Sequence, residues 1–546
     1  MISGIMLRDA VISASNNINN NRKSVDELNI FPVPDGDTGT NMSMTALAAA
    51  RELALIDDAN TAIGEVASKA AAAMLRGARG NSGVILSLIF RGIAKGLKEK
   101  KEADASDLAA ALTAGVESAY NAVMKPTEGT ILTVIRIAAE SARAQAQEDG
   151  DPIALWRCVC DAAQQALENT PNQLPVLKAS GVVDAGGQGL VLILRGMLSV
   201  FEDNTIIPSD GTSPTPGGST GPKEVVAQAS DDIKYGYCSE FLINRDKNNT
   251  RNPLSLRAYL ESIGDCVVVV DDGDIIKVHV HSNEPGNVIQ AALNYGQLTN
   301  IKIDNMRWQH TNAGIIEDHP GNDEPEKEYG FVAVAAGDGL AGIFTELGAD
   351  QVVSGGQTMN PSTDDILSAI QRVHAKHVFV LPNNKNIIMA AEQAIPLSKK
   401  KVSVLHTKTI PQGIAALLAF DGELSGDENH IAMMRAAGQV QTGQITFAVR
   451  DSEVEGTAVK EGEILGLENG KITVVDHDTV HAAVRVTRHL LKKSESGVIT
   501  VYYGADVDDQ TVKSLEDSFQ EKFGEDAEIS VLNGGQPIYY FLISVE

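Results

Sequence analysis

The segment Ser209–Pro222 reads SDGTSPTPGGSTGP, and it constrains the fold of this chain more than any other stretch. Glycine and proline disfavour the interiors of helices and sheets, and a run of such small residues behaves as a linker. The chain has 546 residues, which is long enough for several domains at about 100–200 residues each. We therefore expect a multidomain protein with a domain boundary at this segment.

Residues 1–205 form the first predicted domain. Their apolar residues recur at the three- and four-residue spacing of helices, and no segment reads convincingly as a strand. This pattern predicts an all-α bundle of eight helices. The predicted helices span residues 4–15, 44–56, 62–75, 83–97, 107–123, 130–146, 153–168 and 188–201.

Two further domains are expected after a linker at 206–224. Residues 225–316 alternate helical runs with strand-like ones (Tyr235–Ile243, Cys266–Val270, Ile275–His281), which predicts an α+β domain. The acidic stretch at 317–328 predicts a second linker. Residues 329–546 place short apolar strands between helical runs, which predicts an α/β domain with a mostly parallel sheet.

The composition argues against several classes of protein. The net charge is −27, whereas surfaces that bind nucleic acids or anionic membranes need clustered Lys and Arg. Four cysteines in so long a chain do not suggest a disulfide framework. No apolar run is long enough to span a membrane, and the N-terminus lacks the pattern of a secretion signal. We expect a cytoplasmic protein with no nucleic-acid partner and no transmembrane segment.

A cluster of polar residues at 35–41 is the strongest indication of chemistry. Asp35 and Asp37 flank a single glycine, so a tight turn can direct two carboxylates at one cation. The residues Thr38, Gly39, Thr40 and Asn41 follow directly, ahead of an Ala-rich helical run. Carboxylates suit Mg²⁺, and a helix N-terminus suits phosphate. The alternative is an ordinary Asx turn that caps a helix.

Two glycine-rich loops downstream could join this cluster. The first reads RGARGNSG at 76–83, where Arg76 and Arg79 can offset phosphate charge and Asn81 or Ser82 can cap a helix. The second reads DAGGQG at 184–189, again ahead of an apolar helix. Simple helix connections with capping residues would explain both loops as well.

Histidine is missing from residues 1–202, since the first one in the chain is His279. A phosphohistidine intermediate in the first domain is therefore excluded, and no imidazole there can deprotonate an alcohol. The chain also has no Walker P-loop motif and no visible protein-kinase motif set. Phosphoryl transfer in this domain would depend on a metal and on positioning.

The middle domain offers a second cluster, because the strand sequence Val278–His281 reads VHVH. His279 and His281 share one face of a strand, and Cys238 lies on another predicted strand. Two histidines and a cysteine could form a zinc site with an open position. One histidine contacting the phosphoryl group, or a pair of exposed strand histidines, are the alternatives.

Polar loops also follow strands in the last domain. Residues 354–363 read SGGQTMNPST and residues 381–386 read LPNNKN. Loops at strand ends line the binding crevice in parallel sheets, but such residues also cap helices. The sequence assigns no chemistry to them.

The motifs PDGDTGTNM, RGARGNSG and VDAGGQG, in this order, resemble the nucleotide-binding (DhaL-type) subunit of dihydroxyacetone kinases. The resemblance implies an eight-helix barrel that holds ADP or ATP through Mg²⁺ on Asp35 and Asp37. That family has a further Asp at the position of Ile30, so Asn29 beside it is the substitute candidate for a third ligand. The residues implied to surround the nucleotide are Thr38, Gly39, Thr40, Asn41, Asn81, Ser82, Gly83, Asp184, Ala185 and Gly186.

Together with HVHSNEPG and LPNNKNI, these motifs resemble the kinase subunit of bacterial fatty acid kinases over essentially the whole chain. The resemblance implies an ATP-dependent kinase that phosphorylates a fatty acid presented by a separate DegV-like carrier protein. It implies a homodimer, a DegV-like last domain that helps to dock the carrier, and a functional role for Cys238, His279 and His281. The alternatives are a dihydroxyacetone-type sugar kinase and a non-catalytic nucleotide-sensing scaffold.

Overall fold

A computed structural model of the chain describes residues 1–29, 36–56, 58, 60–123, 125–148, 150–210, 237–245, 251, 253–271, 275–305, 326–356, 359–454, 457–494 and 497–546. The predicted linkers at 206–224 and 317–328 lie mostly outside these residues. The chain forms two compact units. One combines Met1–Pro214 with Glu326–Glu546, and the other is Thr215–Pro325.

The N-terminal region is helical, as its apolar spacing predicts. Strands β1 (Ile2–Ser3) and β2 (Glu102–Ala103) form one short antiparallel pair. Among the described residues of this region, eight long helices are accompanied by three short ones. In chain order they are α1 (Gly4–Asn20), α2 (Arg22–Asp26), α3 (Thr38–Leu53), α4 (Ile63–Gly77), α5 (Gly80–Gly96), α6 (Ala105–Ala122), α7 (Ile131–Glu148), α8 (Pro152–Glu168), α9 (Thr170–Gln173), α10 (Pro175–Ser180) and α11 (Ala185–Asp203).

The long helices form a closed ring. Helix α1 packs on α3, each long helix packs on the next along the chain, and α11 packs on both α8 and α1. The ring encloses an apolar core that is rich in alanine and contains the aromatic rings of Phe90, Trp156 and Phe201. This arrangement confirms the predicted eight-helix barrel.

Glycine allows two helix pairs of the barrel to approach closely. A Cβ atom at Gly92 would lie 2.5 Å from the Cα of Gly115, and one at Gly196 would lie 2.6 Å from the Cα of Ala14. Any side chain at these positions would collide with backbone, so the α5–α6 and α1–α11 crossings require glycine. These crossings fix α5 and α11, whose first turns belong to the site described below.

The middle region is an α+β domain, as predicted. Its antiparallel sheet has the order β4-β5-β3-β6 and consists of β3 (Tyr237–Arg245), β4 (Gly264–Asp271), β5 (Ile275–Ser282) and β6 (Gly296–Asn305). Helices α12 (Pro253–Ile263) and α13 (Pro285–Ala292) cover the face that carries Phe241, Val278 and Val280. The sequence pattern did not predict β6.

The C-terminal region starts with a parallel sheet in the order β10-β9-β7-β8. Its strands are β7 (Lys327–Ala335), β8 (Gln351–Ser354), β9 (Ala375–Leu381) and β10 (Lys401–Val404). Helices α14 (Asp338–Glu346), α15 (Thr363–Arg372) and α16 (Ile388–Ala394) connect them in turn. Strand β7 begins inside the segment that the sequence predicts as a linker.

A second sheet differs from the predicted mostly parallel architecture. It follows α17 (Ile410–Leu418) and α18 (Gly426–Gln439), and it has the order β15-β14-β11-β18-β16-β17. Within this described sheet β16 and β17 form the one parallel pair, and β18 lies between β11 and β16 and runs antiparallel to both. Its strands are β11 (Gln441–Phe447), β14 (Ile464–Glu468), β15 (Lys471–Asp476), β16 (Val498–Tyr503), β17 (Glu528–Asn533) and β18 (Phe541–Val545), and its helices are α19 (Thr479–Leu491) and α20 (Asp509–Phe523). Strands β12 (Ser452–Val454) and β13 (Thr457–Val459) form a separate antiparallel pair.

The barrel and the parallel sheet share one apolar cluster within the first compact unit. Ala78, Val84 and Leu88 of the barrel are buried together with Ile366 and Ile370 of α15. Burial of such side chains contributes about 1.5–3 kcal/mol each. The C-terminal domain is therefore packed against the start of α5.

Candidate nucleotide and metal site

Four helix N-termini of the barrel meet at one cleft. The first turns of α3, α5, α7 and α11 all contribute to its lining, and its volume is about 430 Å³, within the range of small-molecule sites. Each helix start offers backbone N–H groups without a helical partner and the positive end of the helix dipole. Four such ends in one cleft make it suitable for a phosphate chain.

Most of the sequence-predicted residues come together here. The cleft is lined by the predicted residues Asn29, Asp37, Thr38, Asn41, Asn81, Ser82, Asp184 and Gly186. Gly39, Thr40, Arg79, Gly83 and Ala185 are next to them in sequence but do not belong to the described lining. Asp35 lies outside the described residues.

The predicted loops are in fact first helical turns. Helices α3, α5 and α11 begin at residues 38, 80 and 185, whereas the apolar spacing predicts starts at 44, 83 and 188. The small polar residues in these turns have no apolar periodicity, so the pattern could not show that they are helical. The difference matters because it directs helix N-termini, rather than irregular loops, at the cleft.

The start of α3 is held by Asp26, a residue that the sequence analysis missed. Its carboxylate accepts hydrogen bonds from the backbone N (3.1 Å) and the Oγ1 (2.7 Å) of Thr40. Burial raises the pKa of Asp26 despite these bonds. Asn29 also connects Asp26 to the start of α3, since its Nδ2 donates to the carbonyl of Asp26 (2.8 Å) and its Oδ1 accepts from Thr38 Oγ1 (2.8 Å). Asn29 is therefore at the cleft with its amide already engaged.

Asp184 joins two of the converging helices. Its Oδ2 accepts a hydrogen bond from the backbone N of Gly187 (2.7 Å), which caps α11, and its carboxyl group also accepts one from the backbone N of Ile131 at the start of α7. Desolvation raises the pKa of Asp184 to about 6, although both hydrogen bonds oppose the rise. The Asp184 side chain thus holds the starts of α7 and α11 together and also lines the cleft.

The connection between α6 and α7 forms another wall, which the sequence analysis did not predict. It contributes Lys125, a cation that can neutralise phosphate charge. Glu128 anchors the connection: it accepts hydrogen bonds from Thr133 Oγ1 (2.6 Å) and the Tyr120 hydroxyl (2.9 Å), and it pairs with Arg136 (2.8 Å). The bond from Thr133 is the main reason that the pKa of Glu128 is lowered.

The C-terminal domain reaches the same cleft through its 381–386 loop. Lys385 and Asn386 line the cleft, and Asn81 Nδ2 lies 3.4 Å from Asn386 Oδ1. Lys385 also lines a second cavity of about 160 Å³ where β7 and β9 end. The sequence assigned no chemistry to this loop, because nothing local indicates which partner it faces.

Arg79 and Gly83 serve the packing around the cleft. The guanidinium of Arg79 pairs with Asp365 of α15 (3.2 Å) and donates to the carbonyl of Asn360 (2.7 Å). A Cβ atom at Gly83 would collide with Thr45 Oγ1. The role of Arg79 in offsetting phosphate charge stays a prediction, and in the structure its guanidinium is paired with a carboxylate of the C-terminal domain.

The cleft retains unused hydrogen-bonding capacity. The Oδ1 atom of Asn81 is buried and has no partner among the described residues. An acceptor in this position can take a hydroxyl or amino group of a ligand, while the helix ends take anionic oxygens and Asp37 a cation. The donor set therefore fits a Mg²⁺-bound nucleotide.

The middle domain brings its predicted residues onto paired strands. In the backbone register Cys238 pairs with His281 and Glu240 with His279, on antiparallel β3 and β5. The side chains of Cys238, His279 and His281 lie outside what the structure describes. In the described part of the chain no cluster of His, Cys, Asp and Glu could hold a metal, and the zinc site stays a prediction.

A membrane-spanning helix needs both sufficient length and apolar character. None of the helices that the structure describes combines the two.

Comparisons with known families cover most of the chain. Residues 32–199 match the DAK2 domain. Residues 234–313 match the model for the middle domain of FakA-like fatty acid kinase proteins, and residues 330–546 match the model for their C-terminal domain.

Full-length relatives have the same extent. Protein YloV of Bacillus subtilis (strain 168) is 41% identical over 553 residues, which cover 100% of this chain and 99% of the relative. An uncharacterized protein of Staphylococcus haemolyticus (strain JCSC1435) is 39% identical, with the same coverage of both chains.

Two solved structures are similar to parts of the chain. One is the dihydroxyacetone kinase from C. freundii in complex with AMP-PNP and Mg²⁺, which has a TM-score of 0.28, 20% identity, and coverage of 35% of this chain and 33% of that one. The other is a fatty-acid-binding DegV family protein from Thermus thermophilus, which has a TM-score of 0.30, 15% identity, and coverage of 40% and 99%.

Three family models match the chain one after another, and full-length relatives align with it from end to end. Together these matches assign the chain to a family. This protein belongs to the FakA-like fatty acid kinase family.

Proposed function

We propose that this protein is an ATP-dependent kinase subunit that phosphorylates a fatty acid presented by a separate, DegV-like fatty-acid-binding protein. The product is an acyl phosphate for phospholipid synthesis. The observation that carries the proposal is the convergence of four helix N-termini on a cleft that also contains the Asp37 carboxylate. Phosphate oxygens suit the helix ends, and Mg²⁺ suits the carboxylate.

The residues that would hold Mg²⁺ are Asp37 and, by the sequence resemblance, Asp35 and Asn29. When bound there, Mg²⁺ would neutralise part of the phosphate charge. The buried Oδ1 of Asn81 has no partner among the described residues, and it offers an acceptor to the nucleotide rather than to a phosphate. Lys125 and Lys385 add positive charge at the cleft wall.

The chemistry of the acceptor agrees with the residues at the cleft. A fatty acid carboxylate is ionised at pH 7, so it can attack the γ-phosphorus without a general base. One carboxylate oxygen bonds to phosphorus while the bond to the ADP oxygen breaks, and no proton needs to move. Helix N–H groups stabilise the charge on the transferred phosphoryl oxygens. Consistent with this, none of the described lining residues is a histidine.

Two alternatives make different predictions. A dihydroxyacetone-type kinase would phosphorylate an alcohol, which benefits from a base that the described cleft lining does not offer in the form of histidine. A nucleotide-sensing scaffold would bind Mg·ATP without turnover. The resemblance also implies a homodimer and a role for the Cys238, His279 and His281 cluster, and the composition predicts a cytoplasmic location; these remain predictions.

The decisive experiment measures ATP consumption by the purified full-length chain with oleate, with and without a DegV-type fatty-acid-binding protein. Mass spectrometry then identifies acyl phosphate. Turnover that requires both lipid and carrier would support the proposal. Tight Mg·ATP binding without turnover under all conditions would favour the scaffold, and turnover with dihydroxyacetone would favour the sugar kinase.

A further inference from the structure

A segment of the C-terminal domain, residues 359–365, lies against the start of α5 in the barrel. The backbone N of Thr363 donates to the carbonyl of Ala78 (3.1 Å). Arg79 and Ser362 form an antiparallel β-bridge. These backbone contacts hold the segment in a defined position next to residues 78 and 79, which directly precede α5.

An ion pair and an apolar cluster hold this contact. The Arg79–Asp365 pair (3.2 Å) has an Arg79 side chain that is only 16% exposed, and desolvation lowers the pKa of Arg79. A largely buried guanidinium must keep its partners, since losing them leaves a desolvated charge. Val84 and Leu88 of α5 are buried against Ile366 on the same side. The segment is therefore a fixed part of the cleft surroundings.

Within this segment, Asn360 contacts Asp37, the cleft carboxylate that the proposed function assigns to Mg²⁺. Its Nδ2 donates a hydrogen bond of 2.6 Å to Oδ2 of Asp37, and the residue is 3% exposed. The backbone conformation of Gly80 (φ +57°) and its missing side chain make room for the amide, since a Cβ atom there would lie 3.2 Å from Asn360 Nδ2. A side chain at position 80 would collide with Asn41 Nδ2 and would also press on the Asn360 amide, so glycine here keeps both amides in place.

We propose that Asn360 of the C-terminal domain is a positioning residue for Asp37, so that the C-terminal domain completes the nucleotide and metal site of the barrel. This inference rests on the proposed function, because it assigns Asp37 to Mg²⁺. A hydrogen bond from a buried amide to a carboxylate fixes the orientation of that carboxylate. A carboxylate that is already oriented loses less freedom when a cation binds it.

The test compares Asn360→Ala with Asp365→Asn in the full-length chain. Both substitutions weaken the contact between the domains, but only Asn360→Ala removes the hydrogen bond to Asp37. Asp365→Asn removes the ion pair and keeps an oxygen that can cap α15 at Ser362. Mg²⁺ titration at fixed AMP-PNP, followed by calorimetry, gives the apparent Mg²⁺ affinity without any turnover. Thermal unfolding of the nucleotide-free variants measures the structural cost of each change.

We expect Asn360→Ala to weaken the apparent Mg²⁺ affinity roughly tenfold, the order expected for one hydrogen bond to a charged group. Asp365→Asn keeps the hydrogen bonds from Asn360 to Asp37 and from Arg79 to the Asn360 carbonyl, so it should leave this affinity within about twofold of wild type even if it lowers the unfolding temperature. Equal Mg²⁺ affinities for the two variants would overturn the positioning role, even if both unfold at lower temperature. If the wild type itself binds no Mg·AMP-PNP, the proposed function fails first, and the inference fails with it.

Discussion

Replacement of Asp184 by Asn should change how the stability of this protein depends on pH. Its carboxyl group caps α11 through Gly187 and bonds to Ile131 of α7, and desolvation raises its pKa from 3.8 to about 6. A raised acid pKa means that the folded state binds the proton more tightly than the unfolded state. The stability that protonation supplies is full below pH 3.8 and is lost as the pH rises to about 6.

The size of the effect follows from the shift. A difference of about 2.2 pKa units corresponds to about 3 kcal/mol at 1.36 kcal/mol per unit. About half of this, ~1.5 kcal/mol, falls between pH 5 and pH 8 when the two titration curves are subtracted. Asn does not titrate, so Asp184→Asn should gain this amount relative to wild type over that range. Its lost N–H acceptor costs about 1 kcal/mol at every pH and leaves the slope unchanged.

The assay is differential scanning calorimetry of both full-length proteins without nucleotide, from pH 5 to pH 8. The Tm difference, variant minus wild type, should become more positive by roughly 3–6 °C, given about 2–4 °C per kcal/mol for a domain of this size. Asp151→Asn is the control, because Asp151 caps α8 at an exposed position. A Tm difference for Asp184→Asn that does not vary with pH would refute the desolvation argument.

Three further predictions concern the cleft and its surroundings. Asp37→Asn should weaken Mg·AMP-PNP binding at least about tenfold in calorimetry, because it removes a carboxylate that the proposal assigns to Mg²⁺, and unchanged binding would contradict the metal assignment. Gly80→Ala should reduce AMP-PNP affinity, since its Cβ would collide with Asn41 Nδ2; Gly181→Ala also has a positive φ but open space around it and should leave affinity unchanged. Leu88→Ala should destabilise the unit by about 2–5 kcal/mol in chemical denaturation, and a loss below about 1 kcal/mol would contradict its burial against the C-terminal domain.

Much of the fold follows from local patterns. The eight long helices could be predicted because a barrel helix buries one face and so repeats its apolar residues every three or four positions. The parallel sheet could be predicted from strands such as Phe331–Ala335 that alternate with helices. The second sheet could not, since β18 pairs with β11 about a hundred residues away in sequence, and pairing over such a distance has no local signature.

Some residues of the candidate site have a local sequence signal, and others do not. Asp37, Asn81 and Asp184 stand next to or near glycines ahead of helical runs, so the sequence indicated that their loops could converge, and the family resemblance placed them around one nucleotide. Asn360 could not be predicted as part of it: 323 residues separate it from Asp37, and its loop reads like any polar turn. Asp26 was missed because its partner, Thr40, belongs to another helix.

Lys385 lines both the barrel cleft and the second cavity at the ends of β7 and β9. A molecule that binds the second cavity and moves this side chain alters the charge that a nucleotide meets, without touching the nucleotide. Thermodynamic linkage then requires the nucleotide to change the affinity of that molecule by the same factor. Lys385 is thus a side chain through which a ligand of the C-terminal cavity and a ligand of the barrel cleft would affect each other's binding.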